Sequence, residues 1–331
     1  MGLAQDGAAA PLQRCFYTNT DGTPAPGNRI HVSASDSLSS AWAKAECGDT
    51  LLLDPLGQWQ GFDFGRKGAD GCPPDKWIWV SSAAIDELPP EGQRVTPCHA
   101  GVASLPGRPH YDCPNPRRLM PRIVFDEALQ MSVSGNNIRF IGIEFGTKDD
   151  SPPVHDYVTT WGSDHVIFDR VWVRGSPTKE SCCGIQAQQS NFTALIDSYS
   201  TDFHGLSNTC GDAQVYHTGT QGRGRTNVVT QNSDNVHKVV NCYLEGSAQG
   251  VMVGGGGGHE PAYDIEVRRN YFFKPWQWNP SHPDFAGIKW ITKSHLECKN
   301  CVRLLAEANV FEQVWGGFGG SCESIIGWIG L

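Results

Sequence analysis

The stretch HKVVNCYLEGSAQGVMVGG, residues 237–255, reads as a strand, a polar corner, a second strand and a glycine turn. Its centre returns along the chain. IRFIGI ends at Ile143, VIFDRV at Val171, ALIDSY at Tyr199, KVVNCY at Tyr243, EVRRNY at Tyr271 and LAEANV at Val310. These end points lie 28, 28, 44, 28 and 39 residues apart. Valine, isoleucine, tyrosine and phenylalanine suit extended backbone, whereas asparagine, aspartate and glycine suit the corners between strands.

A recurrence of this length marks a solenoid, in which each unit buries its apolar face by stacking on the next. A helical repeat would need apolar residues three and four apart over many positions, and these segments are too short and too β-branched for that. Strands that follow one another without helices argue equally against a doubly wound sheet. What remains is an all-β parallel β-helix, a solenoid whose coils lie about 4.8 Å apart. A loop leaving one corner can lengthen without disturbing the stack, which accounts for the uneven intervals. Asp169, Asp197, Asn241, Asn270 and Asn309 are expected to turn the corners, hydrogen-bonding backbone or each other. Val171, Tyr199, Tyr243 and Tyr271 are expected to form a column inside the coil.

A solenoid must also cover its ends. In SDSLSSAWAKAECGDTLLLD, Asp36 or Ser37 can cap a helix, Leu38, Ala41, Trp42 and Ala45 share one face, and Gly48 can end it. The chain is therefore expected to be one domain over 1–331. It would comprise an arm at 1–35, a capping helix at 36–48, coils over 49–315 and an irregular segment at 316–331.

Composition supports a strand-and-turn protein. Only 18% of residues are charged, while there are 38 glycines, 14 phenylalanines and 11 tryptophans. A net charge of −9 with no basic stripe argues against a nucleic-acid partner. No apolar run approaches the roughly 20 residues of a membrane span. The start, MGLAQDGAAAPLQ, has neither the basic nor the apolar region of a signal peptide. Yet there are twelve cysteines, and Cys15, Cys47, Cys72, Cys98 and Cys113 crowd the loop-rich first third. That usage suits a secreted protein written without its leader, with disulfides holding the early loops. The CKNC pair, Cys298 and Cys301, has zinc-like spacing but no second pair, which favours a short-range disulfide or free thiols.

PPEGQRVTPCHAGVASLPGRP, SDHVIFDRVWVRGSP, KVVNCYLEG, DIEVRRNYFFKPWQW and LECKNCVRLLAEANVFE resemble right-handed parallel β-helix proteins of soil bacteria such as acidobacteria. The resemblance runs from about Cys47 to Trp315. It implies a secreted, pectate-lyase-like protein whose relatives continue for further coils, so this chain would be a shortened form. The chain is also similar to chondroitinase B-like and alginate lyases. Their catalytic lysine precedes an Asn-x-Phe corner by some ten residues, which places it at Lys299, ten before Asn309. That second resemblance implies calcium as a cofactor, although Thr292 and Ser294 stand where acidic ligands are expected. The arginine those enzymes use one coil later would fall in the GGFGG tail.

The residues themselves allow two chemistries on a polysaccharide. β-Elimination needs a base beside a uronate carboxyl and a cation to steady the enolate-like charge. Lys274, Lys293 and Lys299, with Arg268 and Arg269, form a basic group in an acidic chain. Lys299 and Lys293 are candidates for base or charge stabiliser, and Arg268 for the carboxylate partner. Hydrolysis would need two carboxyls facing one groove. Asp202 and Asp212, with His204 and His217, occupy the longest inter-repeat segment. In KPWQWNP, Trp276 and Trp278 would share one side of an extended strand and stack on sugar, with Lys274 and Trp290 completing the subsites. GGGGGH, residues 254–259, lacks the lysine of a phosphate loop and reads as a turn. The leading expectation is an extracellular lyase for an acidic polysaccharide. A glycoside hydrolase and a non-catalytic adhesive solenoid are the alternatives.

Overall fold

A computed structural model describes residues 19–126, 130–148, 154–188, 190–206, 210, 212–219, 236–255, 262–299, 301–315 and 324–327. The early elements are β1 (Arg29–Val32), α1 (Leu38–Lys44), β2 (Thr50–Leu53), β3 (Gln58–Gln60), β4 (Ile78–Ser82), β5 (Arg122–Phe125) and β6 (Met131–Ser132). From there each coil supplies three strands. They are β7 (Asn136–Ile141), β8 (Glu144–Thr147) and β9 (Val154–Thr159), then β10 (Asp164–Asp169), β11 (Trp172–Arg174) and β12 (Ser181–Gln188). Next come β13 (Asn191–Ile196), β14 (Tyr199–Phe203) and β15 (Gln214–Gly219), then β16 (Val236–Val240), β17 (Tyr243–Gly246) and β18 (Gln249–Val253). The last are β19 (Ala262–Arg268), β20 (Tyr271–Phe273), β21 (Leu296–Cys298), β22 (Cys301–Glu307), β23 (Val310–Glu312) and β24 (Ile325–Gly327).

From β4 on, every third strand pairs in parallel, and with the early strands this gives sheets of nine, eight and seven strands. Sheet A runs from β1 to β22, sheet B from β3 to β23 and sheet C from β6 to β24. The chain is thus a parallel β-helix, as the recurrence predicts. Strand register stacks like on like inside. Val80, Phe140, Phe168, Leu195, Val239 and Val267 pair successively across sheet A and belong to the core. The rings of Phe140 and Phe168 stack 5.2 Å apart.

The corner from sheet A to sheet B is built from two adjacent columns. In the first, Gly142, Arg170, Asp197, Asn241, Arg269 and Ala308 all have φ between 49° and 65°. Each of the first five donates its N–H to the last strand residue of the next coil, as Arg170 does to Ile196 O at 2.9 Å. At 142 a Cβ would lie 2.2 Å from Leu88 Cδ1, so glycine lets that leucine pack against the corner as it stands. In the second column, Asn270 Oδ1 accepts from Cys242 N at 2.8 Å, and Asn309 Oδ1 from Asn270 N at 2.9 Å. Their amides donate onward to Val239 O and Val267 O, both at 2.8 Å. Asp197, Asn241, Asn270 and Asn309 are therefore corner residues. Asp169 is not: it ends β10 and is buried in an ion pair with Arg139 at 2.8 Å and Arg170 at 2.9 Å.

The expected interior column is one residue out of register. Tyr199 pairs with Trp172 rather than Val171, and above it follow Tyr243, Tyr271 and Val310. A shift of one residue exchanges the faces of a strand. Val171 belongs to the main core, while Trp172, Tyr199 and Tyr243 lie on the outer face of sheet B. A strap over residues 84–119 covers them, packing Leu88, Val95 and Leu119 against the rings. The strap is stapled by Cys98–Cys113 and tied down by Arg94 Nε to Asn241 O at 3.0 Å.

The capping helix forms, shorter than expected. Ser37 is its N-cap and accepts from Ser40 N at 3.2 Å, and Leu38 and Trp42 are buried beneath it. Cys47–Cys72 fastens its exit. β1 lies ahead of this helix and pairs with β2, and β24 pairs with β21, so sheet structure extends beyond 49–315 at both ends. Cys298–Cys301 is a disulfide, and a further one, Cys182–Cys210, went unforeseen. Cys15 lies outside the described residues.

Replacing Asn270 by alanine leaves the N–H of Cys242 and the carbonyl of Val239 buried without their partner, at a cost of about 3 kcal/mol. The urea midpoint should fall accordingly.

Candidate functional site

Sheet C presents a polar outer face. Ile185, Ala187, Val251 and Val253 belong to the core, so strand alternation turns Gln186 and Met252 outward between them. Register then places Thr159, Gln186, His217, Met252 and Glu297 in one column. Asp156, Cys183, Gln214 and Gln249 form a second column alongside. These columns are polar but nearly buried, Gln249, Glu297 and His217 being 0%, 4% and 8% exposed, while Lys299 at their end is about one-third exposed.

This shelf is tied together by charge and hydrogen bonds. Gln249 Nε2 donates to Glu297 Oε2 at 2.5 Å, and Lys299 Nζ stands 3.6 Å from Glu297 Oε1. Lys293 pairs with Asp212 at the opposite edge, where the chain enters sheet C. His217 Nε2 is 3.1 Å from Gly254 O, to which it donates as the neutral ring. Burial holds this imidazole below its ordinary pKa and so uncharged at neutral pH; Asp156, Asp212 and Lys299 also act on it. Asp156 Oδ1, Gln186 Oε1 and Gln249 Oε1 are buried and make no hydrogen bond among the described residues. Buried polar atoms left unpaired on one face are what a ligand's hydroxyls would satisfy.

Of the residues singled out from sequence, Lys293 and Lys299 flank this shelf. Arg268 does not. It sits on sheet A, bound to Glu266 at 3.0 Å and Glu307 at 2.8 Å. Cys301, two residues beyond Lys299, pairs with Ala262, six residues before Arg268. At the rise of an extended strand that separates the two cations by about 20 Å. Arg268 is therefore not a partner of Lys299.

The remaining expected subsites are interior. Lys274 is fully buried and donates to Gly246 O at 2.6 Å and Ser294 O at 3.2 Å, with burial lowering its pKa to about 7. It anchors the segment between β20 and β21 and is out of a sugar's reach. Trp278 and Trp290 are only 3% and 5% exposed. His204 stacks on Trp290 at 3.7 Å and meets the edge of Trp278 at 5.2 Å. Pro275 starts a short 3-10 turn over Trp276–Trp278, so the two tryptophans do not share a strand face. Trp276 already stacks with His282 at 4.7 Å and Trp315 at 5.6 Å. Among the described tryptophans Trp161 is exposed, 57% accessible, on the turn that follows β9 at the edge of the shelf.

The hydrolase quartet also divides. Asp212 and His217 reach the shelf, whereas Asp202 is paired with Arg108 at 2.5 Å, beneath the strap. Arg108 also holds the fully buried Glu245 at 2.6 Å. Among the described residues, no group of three or more His, Cys, Asp or Glu side chains could hold a metal ion. Asp156, Gln186, Gln249 and Glu297 escaped sequence reasoning. The alternation within SCCGIQAQ was the available signal, but it shows a face only once neighbouring coils are aligned.

The fold defines the class, a parallel β-helix. The sequence matches no family profile and no curated protein. Among solved structures it is similar to pectate lyase Pel9A, at 11% identity over 93% of this chain and 78% of that one, TM-score 0.45. A mutant of the PL6 family alginate lyase AlyGC gives 11% identity over 93% and 41% of the two chains, TM-score 0.41. An alginate lyase from Paenibacillus sp. str. FPU-7 gives 12% over 75% and 95%, TM-score 0.27. Likeness at these identities concerns the fold and leaves the reaction to the site.

His204 generates a pH prediction. Burial pushes its folded pKa from 6.5 to about 4. Below pH 6.5 the unfolded chain takes up a proton that the folded ring refuses, so stability falls as pH drops from 6.5 toward 4. The loss is at most about 1.4 kcal/mol per pH unit. His237, pushed to about 3, adds the same sign. His204→Phe, which keeps the stacked ring, should make the slope of unfolding free energy in this window shallower.

Proposed function

We propose that the chain is an extracellular polysaccharide lyase that cleaves an acidic polysaccharide by β-elimination across the outer face of sheet C. The observation that carries this reading is the meeting of an uncharged His217 with Lys299, Glu297 and Gln249 on one polar shelf. In β-elimination a base removes the proton beside the uronate carboxyl. The electron pair forms a carbon–carbon double bond, and the bond to the leaving sugar's oxygen breaks, that oxygen taking a proton. A neutral imidazole can accept the first proton. Lys299, with Lys293 from the other edge, offers positive charge to the carboxyl as enolate character develops. Trp161 offers an apolar ring against which a sugar can stack. The four disulfides among the described residues suit an oxidising, extracellular setting. No helix among the described residues is long and apolar enough to cross a membrane.

The unsaturated uronate product absorbs in the ultraviolet, so pectate, alginate and glycosaminoglycans should be screened for rising absorbance, with calcium added or chelated. On the responding polymer, Lys299→Ala and His217→Ala should each lower kcat/KM by about 100-fold or more. Arg268→Ala should stay within about twofold, because strand rise sets it on another face. New reducing ends without the absorbance would replace this reading with a hydrolase. Binding without either signal would replace it with an adhesive solenoid.

A further inference from the structure

A second polar feature lies on the outer side of sheet B, where the chain leaves Arg174 at the end of β11 and turns toward Ser181 at the start of β12. Arg122, Thr147, Arg174, Ser176, Thr178 and Lys179 line a cleft of about 180 Å3 there. Glu144, fully buried, is approached by three guanidinium groups: Arg118 at 2.9 Å, Arg122 at 3.3 Å and Arg174 at 3.7 Å. Among the described residues one carboxylate thus faces three guanidinium groups, in a chain whose net charge is −9.

The three arginines are not equally committed. Arg122 donates to Gln58 Oε1 at 3.0 Å and Thr147 O at 3.4 Å, and Arg118 to Glu144. The guanidinium of Arg174 makes no hydrogen bond among the described residues. It lies over the ring of the buried Trp172, 5.0 Å from the centroid, and is about one-third exposed. Stacking holds the planar group in place while its N–H donors remain available, which is the arrangement suited to a carboxylate or sulfate.

We infer that this cleft binds an oxyanion, and that the oxyanion is a carboxylate or sulfate group of an acidic polysaccharide that also crosses the sheet C shelf. The second clause rests on the lyase reading; the first does not. β12 pairs with β15, β15 with β18 and β18 with β21, so the cleft's coil stands three coils from that of Lys299. At the spacing of paired strands this is about 14 Å along the axis, a span of a few sugar units. Arg174 would then act as a remote anchor that favours charged over neutral polymers.

The test is calorimetric titration in a Lys299→Ala background, where cleavage is suppressed, with three probes: inorganic sulfate, an oligogalacturonate and a neutral galactan oligosaccharide. The oligogalacturonate should bind, sulfate should compete with it, and Arg174→Gln should weaken both by about tenfold, one charge-assisted contact. Lys179→Gln, on the exposed rim, should weaken both in the same direction and guards against misfolding of the first variant. Affinities unchanged in both variants, or equal binding of the neutral oligosaccharide, would overturn the inference. Arg174-dependent binding of sulfate but not of oligogalacturonate would overturn the polysaccharide assignment and leave a site for a free oxyanion. Since no turnover is read, failure of the lyase reading leaves these outcomes intact, and loss of the cleft leaves Lys299-dependent cleavage to be measured separately.

Discussion

The solenoid depends on how one peptide group per coil is satisfied at the corner between sheets A and B. There the backbone leaves one sheet and must enter the next within two residues. The left-handed residue of each coil donates its N–H to the coil above, as Asp197 does to Val240 O at 3.0 Å. The following residue then points inward, and where it is asparagine its amide takes over the hydrogen bonding that the ladder would otherwise lose. Fixing this corner fixes register. Register decides which residues stack in the core and which are left outside.

Charge is distributed by the same constraint. Outward positions near the corners carry arginines and acids that would be costly to bury alone. The strap and the early loops cover them after they are paired, as with Arg139 and Asp169, or Arg108 with Asp202 and Glu245. Two regions keep groups that the described residues leave without a partner. One is the polar face of sheet C, with unpaired oxygens on Asp156, Gln186 and Gln249; the other is the cleft beside Glu144, where three guanidinium groups share one carboxylate.

Much of the fold was legible in the recurring phrase, and the site much less so. The phrase marks the A-to-B corner, where short polar residues are obligatory, so Asn270 and Asn309 announce themselves. It says nothing of sheet C, which lies beyond connections of variable length. Lys293 and Lys299 could be found because cations are conspicuous in an acidic chain. Glu297, Gln249 and Gln186 could not, since their strands look ordinary until aligned. The tryptophans misled for a related reason. Trp276 and Trp278 look like an exposed pair in KPWQWNP, yet Pro275 begins a tight turn and the second ring is drawn against His204.

The sequence by itself determined a stacked parallel architecture, a capped N-terminal end and cysteines destined for disulfides, because these follow from local backbone preference and from counting. Only the tertiary structure decided which face each residue took. A one-residue difference in register sends Val171 into the core and Trp172 beneath the strap. It also took three dimensions to part Arg268 from Lys299 and to bring Arg118, Arg122 and Arg174 around one carboxylate. Side-chain alternation has a period of two, whereas coil length varies, so no spacing along the chain reveals which outward residues will become neighbours.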